Sequence, residues 1–256
     1  FDLTDRYLQK LSDDLLAWVD NEEKDTSLPR LLRYTFSRGV YDKSGSMRLF
    51  LIAEAVSGKG DVRDKLLECG MEVSSTHTGM QELADDVIGE TIRYHKTLGN
   101  RLIVLPWADL DNQQKLDDFV AQTEKVQARL ADEGIRLGYH NHAHEFKPNA
   151  DGSRIWEQLE ERTRLDLEID TYWAFVGGRD PLEMMERLKE RVRIIHIKDG
   201  LVDGSGRPLG MGEAPAAAVY RKAVELGDRL IVESETCQPS GLEEARICMD
   251  FLKAQE

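Results

Sequence analysis

The residues best suited to chemistry are His140, Asp170, His196 and Glu233. Each stands at the end of a short apolar run, and the four runs follow one another along the chain. Imidazole nitrogen and carboxylate oxygen together make a donor set for a divalent ion such as Mn, Co, Zn or Mg. Alone, a strand-end Asp caps the next helix and a strand-end His bonds to a loop. Four such residues in consecutive segments point instead to one shared ion. The segment YHNHAHEF (139–146) adds His142 and His144, so half of the 6 histidines lie in it. Side chains alternate along a strand, so His140 and His142 face the same way if the strand runs that far. His144 reads as an exposed loop residue. Glu145 falls in the same loop, where it either joins or replaces His140 on the ion. Lys198 follows His196 by two residues and faces the same side.

A divalent ion that chelates a ketone and a neighbouring hydroxyl acidifies the adjacent C–H bond. A base then removes that proton and a metal-stabilised enolate forms. Reprotonation gives isomerisation or epimerisation, and loss of a β-leaving group gives dehydration or elimination. The candidate bases are His142, Glu145 and Lys198. His77, Trp107 and Trp173 are candidate substrate contacts: the histidine binds a hydroxyl, and the indoles wall the C–H faces of a sugar or polyol.

These residues need elements that bring them to one place. Short apolar runs at 71–77, 101–107, 135–142, 165–170, 192–199 and 229–235 read as strands. Amphipathic stretches at 81–99, 112–134, 155–162, 180–191, 216–227 and 240–254 read as helices between them. Asp180-Pro181 reads as an N-cap followed by the first helical residue, and Ser240 as the cap of the last helix. Strands alternating with helices imply parallel βαβ units, either an open doubly wound sheet or a closed barrel. No GxGxxG follows a strand, which removes the main support for the open nucleotide-binding sheet. The strands end in His77, Trp107, His140, Asp170, His196 and Glu233, as expected where strand ends ring one mouth. The fold expected is therefore α/β, a (β/α)8 TIM barrel forming a single domain over 1–256.

The N-terminal quarter is atypical. Residues 1–24 read as one amphipathic helix. Segments 32–41 and 47–56 stand where strands one and two belong, and the second could equally be helical. The opening residues alternate charge with apolar side chains and do not read as a secretory signal. No run approaches the ~20 apolar residues of a membrane span. The net charge of -14 opposes a nucleic-acid partner, since phosphate binding needs clustered Lys and Arg. Cys69, Cys237 and Cys248 are odd in number and far apart, so neither a disulfide framework nor a Cys-based zinc site is expected. The expected home is a reducing cytoplasm. The expected partners are a small sugar or polyol and, in a homo-oligomer, a second copy of the chain. The Gly-rich loop 199–215 lacks a phosphate-loop pattern and has Arg207 as its one basic residue, so it reads as a flexible lid.

From about residue 60 onward the chain resembles the sugar phosphate isomerase/epimerase superfamily of xylose-isomerase-like barrels. The motifs that carry the resemblance are YHNHAHEF, EIDTYWAFVGGRDP, IIHIKDG, LGMGEA and IVESE. The likeness is greatest to a YHNH subgroup near the inosose dehydratases and 3-keto-glycoside lyases. It implies a divalent metal held by residues of strands five to eight, which fall on His140, Asp170, His196 and Glu233. His140 stands where the wider family has Glu, and Trp173 where it has His. The activity implied is a metal-dependent isomerase, epimerase or lyase acting on a sugar, keto-sugar or inositol-type polyol. The alternatives are a non-catalytic sugar-binding barrel with a decayed site and a metal-dependent hydrolase of the AP-endonuclease type, which the acidic charge opposes.

Overall fold

The computed structural model describes residues 73–233, 236 and 241–255, with four two-residue strand pieces between 34 and 53. Six parallel strands form one sheet: β1 (Thr76–His77), β2 (Leu102–Leu105), β3 (Arg136–His140), β4 (Asp166–Asp170), β5 (Val192–Ile197) and β6 (Arg229–Val232). Their order across the sheet is their order in the chain, and every neighbouring pair is parallel. A doubly wound sheet reverses order at a switch point; continuous winding in one direction is the habit of a barrel wall.

Helices fill the crossovers: α1 (Ile88–Leu98), α2 (Gln113–Ala131), α3 (Ile155–Arg162), α4 (Thr171–Val176), α5 (Pro181–Arg187) and α6 (Ala216–Leu226), with α7 (Gly241–Lys253) after β6. The capping chemistry is local. Asn112 accepts from the Lys115 N–H at 3.0 Å at the start of α2. Asp180 accepts from Leu182 and Glu183 N–H groups, with Pro181 in the first helical turn of α5. Ser240 lies outside the described residues.

Two differences from the sequence reading concern helices. The stretch 81–99 divides into a 3-10 turn at Met80–Leu83 and α1, because only the second part carries the buried stripe Ile88, Ile92, Tyr94, His95 and Leu98. The segment TYWAFV becomes α4, which at six residues is too short to show helical periodicity in sequence.

Alternation along the strands sorts the core. Outward residues such as Ile103, Leu105, Leu137, Tyr139, Leu167, Ile169, Ile195, Ile197, Leu230 and Val232 are buried against the helices. A smaller inner cluster of Leu102, Val104, Ile194 and Ile231 packs inside the curve of the sheet. Each such side chain contributes about 1.5–3 kcal/mol on full burial. The inner face toward the C-terminal ends is polar instead, and there the candidate site lies.

The expected strands one and two meet a correction. Tyr34–Thr35 pairs antiparallel with Ile52–Ala53, and Val40–Tyr41 pairs antiparallel with Met47–Arg48. A parallel pair needs a crossover of a dozen or more residues, whereas Tyr41 and Met47 are close enough for a hairpin. Ile52–Ala53 lies beside β1 and Val40–Tyr41 beside β6, the two open edges of the parallel sheet. The expected helix over 1–24 lies outside the described residues. Among the described residues no helix is long and apolar enough to cross a membrane.

Candidate metal centre

His140 closes β3, Asp170 closes β4, His196 lies near the end of β5, and Glu233 follows β6 directly. One ligand atom from each of the four lies within 4.8 Å of the others. His140, Asp170 and His196 are buried. Asp170 Oδ2 is buried with no hydrogen-bond partner, whereas His140 Nδ1 and His196 Nε2, also buried, lie 3.4 Å and 3.1 Å from Glu168 Oε1. A buried atom without a partner is costly unless something satisfies it. A partnerless carboxylate oxygen that converges with two imidazoles and a second carboxylate fits a cation. The Nδ1 of His196 is 2.8 Å from Glu233 Oε2.

Neighbouring residues fix this arrangement. The Asn141 amide donates to the Asp170 carbonyl at 3.0 Å, and its oxygen accepts the Asp170 N–H at 3.1 Å. That pair of hydrogen bonds to the backbone locks the end of β3 to the end of β4. Thr171 Oγ1 donates to the His196 carbonyl at 2.9 Å, locking β4 to β5. Asp170 Oδ1 accepts the Trp173 N–H at 2.7 Å and so caps α4, leaving Oδ2 for the cluster. Asn141 and Thr171 had no assigned role in the sequence reading, although Asn141 lies within its densest motif.

The four groups shift one another's titration strongly. Burial pushes the Asp170 carboxyl up to about 8, with Glu233 adding to the shift and Lys198 and His196 opposing it. Burial also acts to raise Glu233, but His196 and Lys198 outweigh it and hold that carboxyl well below the usual range. His196 is raised well above the usual imidazole value: the Glu168 and Glu233 carboxylates overcome the effect of burial. Burial lowers His140 to about 4. Two neutral-prone groups, His140 and Asp170, thus face two strongly ionised ones.

Of the other predicted residues, several join this centre. His77 Nε2–H donates to Glu168 Oε1 at 2.5 Å, and its ring lies 5.0 Å from His140 and 5.7 Å from His196. His142 lies beyond the end of β3, so strand alternation does not aim it. Its ring instead meets His140 edge-on at 5.0 Å and lies 6.0 Å from Trp173. Its Nδ1 is buried with no hydrogen-bond partner, and burial lowers its pKa to about 3. Lys198 is buried, with Nζ 4.7 Å from the Trp173 ring centre and 5.7 Å from that of Tyr172. Trp173 therefore lies between His142 and Lys198.

Glu145 is placed differently. Its Oε1 accepts from the Tyr139 hydroxyl at 2.8 Å, and its Oε2 from the His142 N–H at 2.8 Å. Its nearest group of potential ligands is His142 and His144, apart from Asp170 and Glu233. Burial raises the Glu145 carboxyl. His144 is exposed. Trp107 is 56% exposed on the turn after β2.

The loop 199–215 is tied down. The buried Asp199 carboxylate accepts from the N–H groups of Gly200, Gly210, Gly212 and Ala214 at 2.8–3.1 Å. A Cβ on Gly212 would stand 2.1 Å from Asp199 Oδ1, so this turn closes around the carboxylate only with glycine. The expected flexible lid is here a loop wrapped on an internal anion.

Sequence reasoning also missed Glu168 and Ser75. Glu168 is 1% exposed, and Ser75 Oγ donates to its Oε2 at 3.1 Å. The signal was present in LDLEID, where alternation sets Asp166, Glu168 and Asp170 on one face.

Comparison with known proteins agrees with this architecture. A sugar phosphate isomerase/epimerase from Parabacteroides distasonis ATCC 8503 superposes with a TM-score of 0.62 at 24% identity, covering 78% of this chain and 77% of that one. A xylose isomerase domain protein from Planctomyces limnophilus also gives 0.62, at 16% identity over 79% and 85%. An inosose dehydratase from Geobacillus kaustophilus (strain HTA426) is 33% identical over 66 residues. That match spans 26% of this chain and only 21% of the relative. The xylose isomerase-like TIM barrel model matches residues 68–255, and this chain belongs to that family.

Proposed function

We propose that the chain is a divalent-metal-dependent isomerase, epimerase or lyase acting on a sugar, keto-sugar or inositol-type polyol. The observation that carries the reading is the convergence of His140, Asp170, His196 and Glu233, with an Asp170 oxygen buried and without a hydrogen-bond partner. These four would hold the ion. When bound, a divalent cation polarises a substrate carbonyl and makes the neighbouring C–H proton easier to remove.

The chain's own groups do the rest. The His142 ring is unprotonated at neutral pH because burial lowers its pKa, and its Nδ1 has no hydrogen-bond partner. It takes the proton, aided by the negative charge that then develops on the substrate. The Lys198 ammonium is close enough to His142, Asp170 and Glu233 to act on their charges, and it steadies the developing oxyanion. Delivery of a proton to the other face by the Lys198 ammonium, while His142 keeps the one it removed, gives the epimer. Departure of a β-hydroxyl as water, or of a β-alkoxide as the alcohol, with the proton given by the His142 imidazolium, gives the dehydrated or eliminated product. His77 lies at the inner edge of the cluster and contacts a hydroxyl, and the Trp173 indole offers an apolar wall between the two proton-handling groups.

The substrate is not phosphorylated on this reading. The backbone N–H groups of the Gly-rich loop, which would otherwise cradle an anion, are occupied by Asp199. Arg207, the loop's one basic residue, is exposed and donates to the Gly206 carbonyl. The relatives named as a sugar phosphate isomerase/epimerase and an inosose dehydratase support both outcomes of the same proton abstraction.

Incubation of the metal-loaded protein with keto-sugars and inososes in D2O tests the mechanism. Solvent deuterium is expected at one carbon of substrate or product. Product formed with no deuterium at any carbon would replace proton abstraction with a hydride shift.

A further inference from the structure

The inward face of β4 carries three acids in a column. Asp166, at the base, is paired with Arg136 at 2.6 Å and Arg193 at 3.1 Å. Asp170, at the mouth, belongs to the cation cluster. Glu168 sits between them, in a layer that barrels ordinarily fill with branched apolar side chains. Its partners among the described residues are imidazoles and a hydroxyl: His77 at 2.5 Å, His196 Nε2 at 3.1 Å, His140 Nδ1 at 3.4 Å, and Ser75. A carboxylate so buried persists where its charge or its lone pairs are needed.

Two sets of potential ligands share His140 and His196: one adds Asp170 and Glu233, the other His77 and Glu168. They lie on opposite sides of the His196 ring, whose Nδ1 is 2.8 Å from Glu233 and whose Nε2 is 3.1 Å from Glu168. Metal–ligand bonds of about 2.0–2.2 Å leave adjacent ligands of one ion about 3 Å or more apart. The His77–Glu168 separation of 2.5 Å is shorter than that and is a hydrogen bond. The outer pair, His196 Nδ1 and Glu233 at 2.8 Å, stands nearer to ligand spacing, and on that difference the outer set is assigned to the ion.

We propose that Glu168 is a positioning residue for the cation site: it accepts a hydrogen bond from His196 Nε2–H and so turns Nδ1 toward the ion held with His140, Asp170 and Glu233. His77 and Ser75 hold the carboxylate in place for this task. His196 Nε2 stands 3.1 Å from Glu168 Oε1, within reach of that bond. Glu168 also returns to the site the negative charge that His140 lacks. This inference rests on the metal reading above.

Nitrogen-15 spectra of the zinc-loaded full chain test it. His196 is expected to show a metal-bound Nδ1 and a protonated Nε2. Zinc titration of Glu168→Gln should give an apparent Kd about 10–100-fold weaker than wild type. Zinc on His196 Nε2 would make Glu168 a ligand and overturn the inference alone, as would an unchanged Kd in the variant. Should the variant not fold, the wild-type spectrum decides by itself. A wild-type chain that binds no zinc, manganese or cobalt overturns the metal reading and this inference with it.

Discussion

His142 and Glu145 are three residues apart, yet their surroundings give them different work. Glu145 has both oxygens engaged, one by the Tyr139 hydroxyl and one by the His142 N–H, so it holds the loop that presents His142. His142 keeps Nδ1 unbonded beside Trp173 and His140. His142→Asn should therefore retain the metal and lose about 10²–10⁴ in kcat, the usual cost of removing a general base. Metal content and kcat of this variant and of Glu145→Gln separate the roles. Near-normal turnover in His142→Asn beside a crippled Glu145→Gln would make Glu145 the base. Loss of metal from His142→Asn would make His142 a ligand. The sequence exposed these side chains because the motif YHNHAHEF is dense in groups that titrate. It hid Glu168, because one glutamate among many carries no signal until alternation places it beneath Asp170 on the same face.

At the scale of elements, β1 shows how packing orients a site. Thr76 and Thr78 turn outward into a buried polar knot with His95 of α1 and with Asn100, while His77 between them turns inward. His95 is fully buried, and burial lowers its pKa to about 4. Its unfolded value is near 6.5. Between those values the unfolded chain binds a proton that the folded chain refuses, so stability falls as pH falls from 6.5 toward 4. The linkage amounts to about 3 kcal/mol by pH 4. Denaturant unfolding of metal-free wild type and His95→Asn between pH 7 and 4 should show the wild type losing more by about that margin, since His140 and His142 act alike in both. Parallel pH profiles would mean that His95 titrates normally. Apolar runs marked the strands well, because burial on both faces leaves little else in them. They did not mark α4, whose six residues are nucleated by the Asp170 cap, nor the grip of Asp199 on its loop, which depends on contacts 11–15 residues ahead of it.

For the whole molecule, continuous winding of six parallel strands carries β3, β4, β5 and β6 to one mouth in chain order. That winding was legible from the alternation of strand and helix, since right-handed crossovers leave few other topologies. Residues 32–56 were less legible, because two short apolar segments without a helix between them fit a hairpin as well as a barrel strand. The central claim is that this mouth holds one divalent ion on His140, Asp170, His196 and Glu233. Elemental analysis of the purified chain after equilibration with manganese, cobalt or zinc tests it most directly, with Asp170→Ala measured alongside. The expected result is one ion per wild-type chain and a large loss in the variant. No stoichiometric ion in the wild type, or full occupancy in Asp170→Ala, would contradict it.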